Sequence, residues 1–386
     1  MFAIIVGIVG AYVALRTLVP LGMPLWCKIL VALVIFLLAQ NHLLTKLAYG
    51  NMFSLELPRA VVIAVNLGFG AIIITAALYA LLDIFMLLRS LVFWQWRPLA
   101  PSWSFAALAL GIALSSLGVI NAIRQPAQKD IAFEIKGLPA GFDGYSIVHL
   151  TDLHLSRLFQ RPFAETLVAR VNALDPDIIL ISGDLIDGYF DARREDVAPL
   201  SALSARDGVY VSPGNHEYYF DYDTWWAVYQ DLGMRPLANA HARIERAGGT
   251  LVVAGLTDLA ATRFGFPAPD IRRALDGAPQ DSPVVLLNHQ PLQARMMAAA
   301  GVDLHLSGHT HGGMVVGLAS LIARFNEGFI SGHYAVDDMH LYVSNGTALW
   351  PGFALRLGVP SELTRITLRS RGDTKPRQAE GNAIGG

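Results

Sequence analysis

Ile178-Ile179-Leu180-Ile181-Ser182-Gly183-Asp184-Leu185-Ile186-Asp187 is the stretch on which the reading of this chain turns. Its first half is a short, unbroken apolar run rich in β-branched residues, the pattern of a strand buried on both faces. Gly183 breaks the run, and two carboxylates, Asp184 and Asp187, follow at once. In open α/β sheets, sites form outside the carboxyl ends of strands. A buried strand that delivers two acids at its end is therefore a candidate site as well as a core element.

Four more apolar runs end in the same manner. Residues 145–150 lead into Asp152-Leu153-His154, and Val209–Ser212 into Gly214-Asn215-His216-Glu217. Val284–Leu287 leads into Asn288-His289-Gln290-Pro291, and Leu304–Ser307 into Gly308-His309-Thr310-His311-Gly312-Gly313. Five strand ends can converge on one point, which scattered surface residues would not do. Carboxylate, imidazole and side-chain amide are the donors present and thiolate is absent, so the set suits a hard-to-borderline divalent cation. Asp152 and His154 are two residues apart, as are His309 and His311, and the glycines beside the second pair permit a tight loop. Asp184 has two oxygens with which to bridge a pair of cations. Two such ions bring four positive charges and Asp152 and Asp184 return two, which leaves a surplus that draws a phosphate anion. A metal pair about 3.5–4 Å apart can clamp the attacking and departing oxygens of an in-line displacement.

Further strands are expected at 131–135, 250–254, 341–344 and 364–368, with helices near 162–174, 194–205, 222–232, 271–276 and 292–300. This alternation indicates an α/β domain over 125–370. The tail 371–386, rich in Gly and charge, is expected to be disordered.

The first 124 residues have another texture. The 386-residue chain is 53% hydrophobic and only 16% charged, against about 25% charged in soluble domains, and most of the charge follows Arg124. Apolar stretches at 2–26, 29–39 (extended to 47), 60–88 and 103–123 predict an all-α membrane bundle of about four spans. The first lacks a basic leader and a cleavage site, so it reads as a span rather than a signal peptide. Trp26, Trp94, Trp96 and Trp103 stand at the predicted ends, where aromatic belts form. Arg16, Asn66 and Asp83 fall inside spans. Interhelical hydrogen bonding accounts for Asn66 and a helix-end position for Asp83, and a transport path is the alternative. Lys46, Arg59, Arg124 and Lys129 face one side and Arg16, Lys28, Arg89 and Arg97 the other, so charge leaves the side of the α/β domain unassigned. A net charge of −2 provides no field for nucleic acid. Cys27 is the single cysteine, which excludes an intramolecular disulfide.

The five segments D-x-H, G-D-x-x-D, G-N-H-[DE], N-H-x-P and G-H-x-H, in this order, resemble the signature of the calcineurin-like metallophosphoesterases. The resemblance covers roughly residues 145–368 and departs at no ligand position. It implies a four-layer α/β/β/α sandwich with two divalent metal ions (Mn, Fe, Zn or Mg) at one edge. It further implies that Asp152, His154 and His311 hold the first metal, that Asp184 bridges, and that Asn215, His289 and His309 hold the second. His216 would contact the phosphoryl oxygen, and Asp187 would orient His216. His149 and His305 read as core histidines, His42 as interfacial, and His241, His333 and His340 carry no assigned role. Glu217 reads as a cap or a solvated acid. The aromatic run from Tyr218 to Trp226 reads equally as a lip over the metals or as helix packing.

The expected function is a multi-pass enzyme of the cell membrane that hydrolyses a phosphomonoester, phosphodiester or pyrophosphate, including a lipid-linked one; some membrane-associated members of the family look like UDP-2,3-diacylglucosamine pyrophosphatases. The alternatives are a catalytically silent binding module and a sensor or transporter bundle with an esterase output domain. The oligomeric state is not readable.

Overall fold

A computed structural model of the chain describes residues 1–95 and 99–371. Trp96, Arg97 and all of the expected disordered tail but Arg371 lie outside the described residues.

Two six-stranded mixed sheets pack face to face. The first runs in the order Ala127–Ile135, Glu362–Ser370, Ser146–Leu150, Ile178–Ser182, Val209–Ser212, Arg235–Pro236. The second runs Gly332–Val336, Met339–Val343, Leu304–Ser307, Val284–Leu287, Gly249–Gly255, Ala240–Arg246. Ile178–Ser182 is buried at every position and pairs in parallel with both neighbours, as its unbroken apolar run requires. Side chains such as Ile147, Leu180, Leu251, Leu287 and Leu306 fill the space between the sheets. Helices Arg161–Asn172 and Tyr222–Asp231 cover the outer face of the first sheet, and Ile271–Ala274 and Ala294–Ala299 that of the second. The result is the expected α/β/β/α sandwich.

His149 and His305 lie in this core, hydrogen-bonded to Ser182 Oγ and Ser307 Oγ, each with its Nδ1 unpartnered. Burial pushes both imidazoles down to about 4. The unfolded chain, with histidines near 6.5, then binds more protons than the fold below that pH. Their contribution is complete above about pH 6.5 and is lost as pH falls towards 4, by up to about 3 kcal/mol each. Replacing both with Asn should flatten the fall in denaturation midpoint between pH 7 and pH 5; an unchanged slope would contradict this assignment.

The N-terminal part comprises α1 (Phe2–Leu18), α2 (Leu25–Ala39), α3 (Asn41–Tyr49), α4 (Arg59–Phe93) and α5 (Pro101–Ala122). The expected count of about four spans is not met in full. By length and composition, α4 and α5 can cross a bilayer, and α2 with α3 forms a third candidate bent by 63°. α1 ends after 17 residues, ahead of Pro20, Gly22 and Pro24, which cannot continue the helix, and so falls short of the about 20 residues a span needs.

The three polar residues expected inside spans, Arg16, Asn66 and Asp83, have partners. Arg16 pairs with Asp83 at 2.8 Å, and Tyr12 donates to the same carboxylate, so Asp83, within α4, is a partnered acid and not merely a helix end. Asn66 reaches beyond the bundle: its Nδ2 donates to Pro351 O and its Oδ1 accepts from Ala354 N. The loop it holds, residues 345–358, comes from the α/β part and enters the bundle end. Leu355 fits against Gly70 and Gly118, where a Cβ would approach it to 2.7 Å. His42, expected at an interface with lipid headgroups, is buried instead among Phe2, Phe69 and Trp350.

Candidate metal centre

The strand ends do meet. Three groups of side chains bring ligand atoms within 4.8 Å of one another: Asp152, His154 and His311; Asp184, His289 and His309; and His154, Asp184 and His216. Asp184 joins the first two groups, because its Oδ2 lies 3.1 Å from His289 Nε2 and 3.8 Å from His154 Nε2. Asp152 Oδ1 lies 3.7 Å from His154 Nε2 and 3.5 Å from His311 Nε2. Asn215 opens the helix Asn215–Tyr219 beside them, with its Oδ1 buried and without a hydrogen-bond partner. A buried, orphaned amide oxygen costs energy unless something takes its lone pair. This atom and the unpartnered His154 Nε2 suit a cation.

The loops reach this arrangement through unusual backbone. Asp152, His154, Asp184, His309 and His311 all have positive φ, between 42° and 68°. The left-handed region costs a residue with a Cβ about 1 kcal/mol or more, and such outliers cluster at functional sites. The motif glycines are explained by crowding. A Cβ at Gly308 would sit 2.2 Å from Asp152 Oδ2, and one at Gly214 2.2 Å from Asp184 Oδ1.

A surrounding set of hydrogen bonds fixes the candidate ligands. His289 Nδ1 lies 2.8 Å from the Ser182 carbonyl, which sets the tautomer that leaves Nε2 with its lone pair. The two oxygens of Asp187 divide between two rings: Oδ1 makes a short contact with His216 Nδ1, and Oδ2 lies 3.1 Å from His154 Nδ1, without hydrogen-bond geometry. Asp187 is thus positioned against His154 as well as against His216, its expected partner. Glu217, read from sequence as a cap or a solvated acid, is a cap, accepting the backbone N–H at the start of the helix Asn215–Tyr219, and is fully buried. It accepts the backbone N–H groups of Asp184, Leu185 and Gly214 and the Tyr229 hydroxyl, stapling two motif loops together. Burial and the adjacent Asp184 raise its pKa. Arg356, also fully buried, donates to the carbonyls of His311, Asn345, Ala348 and Val359. Asp258 accepts both contacts from Gln290 Nε2, next to His289. Apart from the cap at Glu217, none of these supporting roles has a signal in the motifs, although Gln290 lies within one.

Protons and cations compete for this cluster. Burial would raise the Asp184 carboxyl, but the facing His289 and His216 more than reverse this and hold it well below its ordinary range. Burial would likewise lower His289, and Asp184 overrides it, pushing the imidazole up to about 10. His154 is raised for the same reason, with Asp187 as the chief source. His311 is lowered to about 3 by burial. A cation bound here must therefore displace protons from His154 and His289.

Only part of the aromatic run faces this centre. Trp225 and Phe220 belong to the core, and Tyr218 stacks on Tyr222 against Phe266. Tyr219 and Phe220 flank His216, at 5.2 and 6.4 Å between ring centres, and of the two Tyr219 is the half-buried one.

Carboxylates and imidazoles in neighbouring groups linked through Asp184 are the donor set of a metal-binding phosphoesterase domain, and similar proteins carry that description. The profile of the family described as Calcineurin-like phosphoesterase matches residues 145–313. A Campylobacter jejuni protein named "Uncharacterized metallophosphoesterase Cj0846" is 31% identical over 271 residues, 70% of each chain. A Bos taurus protein named "Transmembrane protein with metallophosphoesterase domain" is 36% identical over 276 residues, and its namesake from Danio rerio 34% over 272. Each of these two alignments covers 68% of this chain but 62% of the relative's own length. The chain belongs to the calcineurin-like metallophosphoesterases.

Proposed function

We propose that this chain is a multi-pass cell-membrane hydrolase of a phosphoric ester or pyrophosphate, acting on a substrate held at the bilayer, including a lipid-linked one. The observation that carries the reading is Asp184, whose Oδ2 lies between His289 and His154 and so links two ligand groups. In this reading Asp152, His154 and His311 hold one divalent cation, Asn215, His289 and His309 the other, and Asp184 serves both. Such a pair supplies the charge that binds and polarises a phosphoryl group and lowers the pKa of water.

The remaining chemistry belongs to side chains. His216 lies with its Nε2 3.9 Å from Asp184 Oδ2, at the rim of the cluster. Its Nδ1 is tied to Asp187, so Nε2 is the atom available to a phosphoryl or leaving-group oxygen. A proton held there neutralises the departing oxygen as the ester bond breaks. Asp187 keeps the ring in that orientation. The docking of loop 345–358 onto the bundle, through Asn66 and Leu355, supports a site close to the membrane.

The test is a substrate screen. Detergent-solubilised protein supplied with Mn²⁺ should cleave at least one class among monoester, diester and pyrophosphate reporters. Metal-loaded protein that cleaves none of them would refute the proposal.

A further inference from the structure

The linker between α3 and α4, residues 50–58, leaves the bundle and runs along the metal centre. Ser54, buried, shares its hydroxyl proton between Glu56 Oε1 at 2.6 Å and, at 3.1 Å, Asp187 O, the backbone of the residue that holds His216. Glu56 pairs with Arg157 and with the fully buried Arg193. These contacts fix the position of Phe53. Its ring stacks on Tyr219 at 4.7 Å with 10° between planes, meets His216 at 5.1 Å and meets Trp350 at 6.0 Å. All three of Phe53, Tyr219 and Trp350 are half-buried, so part of each ring faces outward beside His216. On the other side, Leu55 and Leu57 of the same linker line an apolar cleft of about 300 Å³ with Leu38, Leu44 and Val65 of the bundle. One short segment of the N-terminal part thus presents apolar surface both to the centre and to the helices.

We propose that Phe53 is a specificity-determining residue, which with Tyr219 and Trp350 seats an apolar chain carried by the phosphoester. The inference rests on the hydrolase reading and deepens it. His216 is the group placed to face the ester oxygen, so the substituent on that oxygen must lie against whatever surrounds His216. On the side away from His154 the surroundings are aromatic carbon, and the nearest carbon ring, Phe53, is supplied by the bundle's own linker. The hydroxyls of a sugar phosphate would be left unpaired against that surface, at a cost. An alkyl or acyl chain loses nothing there and gains by leaving water.

The test compares 4-methylphenyl methyl phosphate with 4-hexadecylphenyl methyl phosphate, both in mixed micelles, on the full-length Mn²⁺-loaded protein. The chain is then carried on the departing oxygen, while the scissile aryl P–O bond and the acidity of the departing phenol are common to the two. Wild type should favour the hexadecylphenyl ester by about tenfold or more in kcat/KM, and Phe53→Ala should shrink that ratio about tenfold, whereas Phe53→Leu, which keeps apolar bulk, should hold it within about threefold. Metal content is measured on each variant, and Phe53→Gln, which keeps bulk but sets an amide in place of the ring and should also shrink the ratio about tenfold, decides the matter if Phe53→Ala loses its ions. Equal losses on both esters in the variant that keeps its ions, Phe53→Ala or Phe53→Gln, leaving the ratio at its wild-type value, would make Phe53 a packing residue and overturn the proposal alone. Cleavage of neither ester by wild type would overturn it together with the diesterase form of the hydrolase reading.

Discussion

Asp184→Asn is expected to abolish phosphoester hydrolysis, lowering kcat/KM by about 10³-fold or more, equivalent to about 4 kcal/mol. The substitution is nearly isosteric, and Asn tolerates the left-handed φ of 55° that this position requires. Asn can also still accept the His216 backbone N–H that Asp184 Oδ1 accepts. What it removes is the one charge shared by the two ligand groups. His289 loses its partner at 3.1 Å and His154 loses one of its acids. Bound divalent metal should fall from two equivalents to one or fewer by elemental analysis, with the fold intact by circular dichroism. Wild-type turnover in this variant would remove the basis for placing the chemistry at this cluster.

Replacing His216 with Gln should instead separate catalysis from binding. A positioned proton donor contributes about 10²–10⁴-fold, so kcat should fall within that range while metal content stays at two equivalents. Asp187→Asn should lower kcat too, because it loosens both His216 and His154. The metal measurement is the discriminating one. His216 also groups with His154 and Asp184 closely enough to serve as a ligand. If His216→Gln sheds an ion in place of turnover, its role is coordination and not proton transfer.

The nine strands expected from sequence are all present. Most are central runs whose burial on both faces writes apolar letters without interruption, and the edge strand Ala127–Ile135 still marks its inward face through Phe133 and Ile135. The three that the sequence does not signal, Arg235–Pro236, Ala240–Arg246 and Gly332–Val336, are all edges. An edge strand keeps much of its surface in water, and Ala240–Arg246 buries only Ile244 while Gly332–Val336 buries only Val336. Their pattern is therefore diluted below recognition. The seven candidate ligand positions are legible because motif spacing survives in one dimension. Apart from the cap at Glu217, the roles of Glu217 and Arg356 are not, since their work is to accept or donate at backbone groups that leave no trace in side-chain identity. Asn66 misleads for a related reason: hydropathy assigns it to the bundle, and its partners, Pro351 and Ala354, lie nearly three hundred positions further along. The bend between α2 and α3 is hidden too, because Gln40 and Asn41 read as the polar end of a span.

The long reach of Asn66 bears on how the molecule is made. A chain emerging from the ribosome at about 5–20 residues per second presents this amide to the bilayer roughly 15–60 s before Ala354 is synthesised, given their separation of 288 positions. Throughout that interval its Oδ1 has no Ala354 N–H to accept and its Nδ2 only the local Val62 carbonyl. The bundle's contact with the loop is thus completed only when the last part of the α/β domain is made, so a product truncated before the loop would leave the Asn66 amide without its two distant partners.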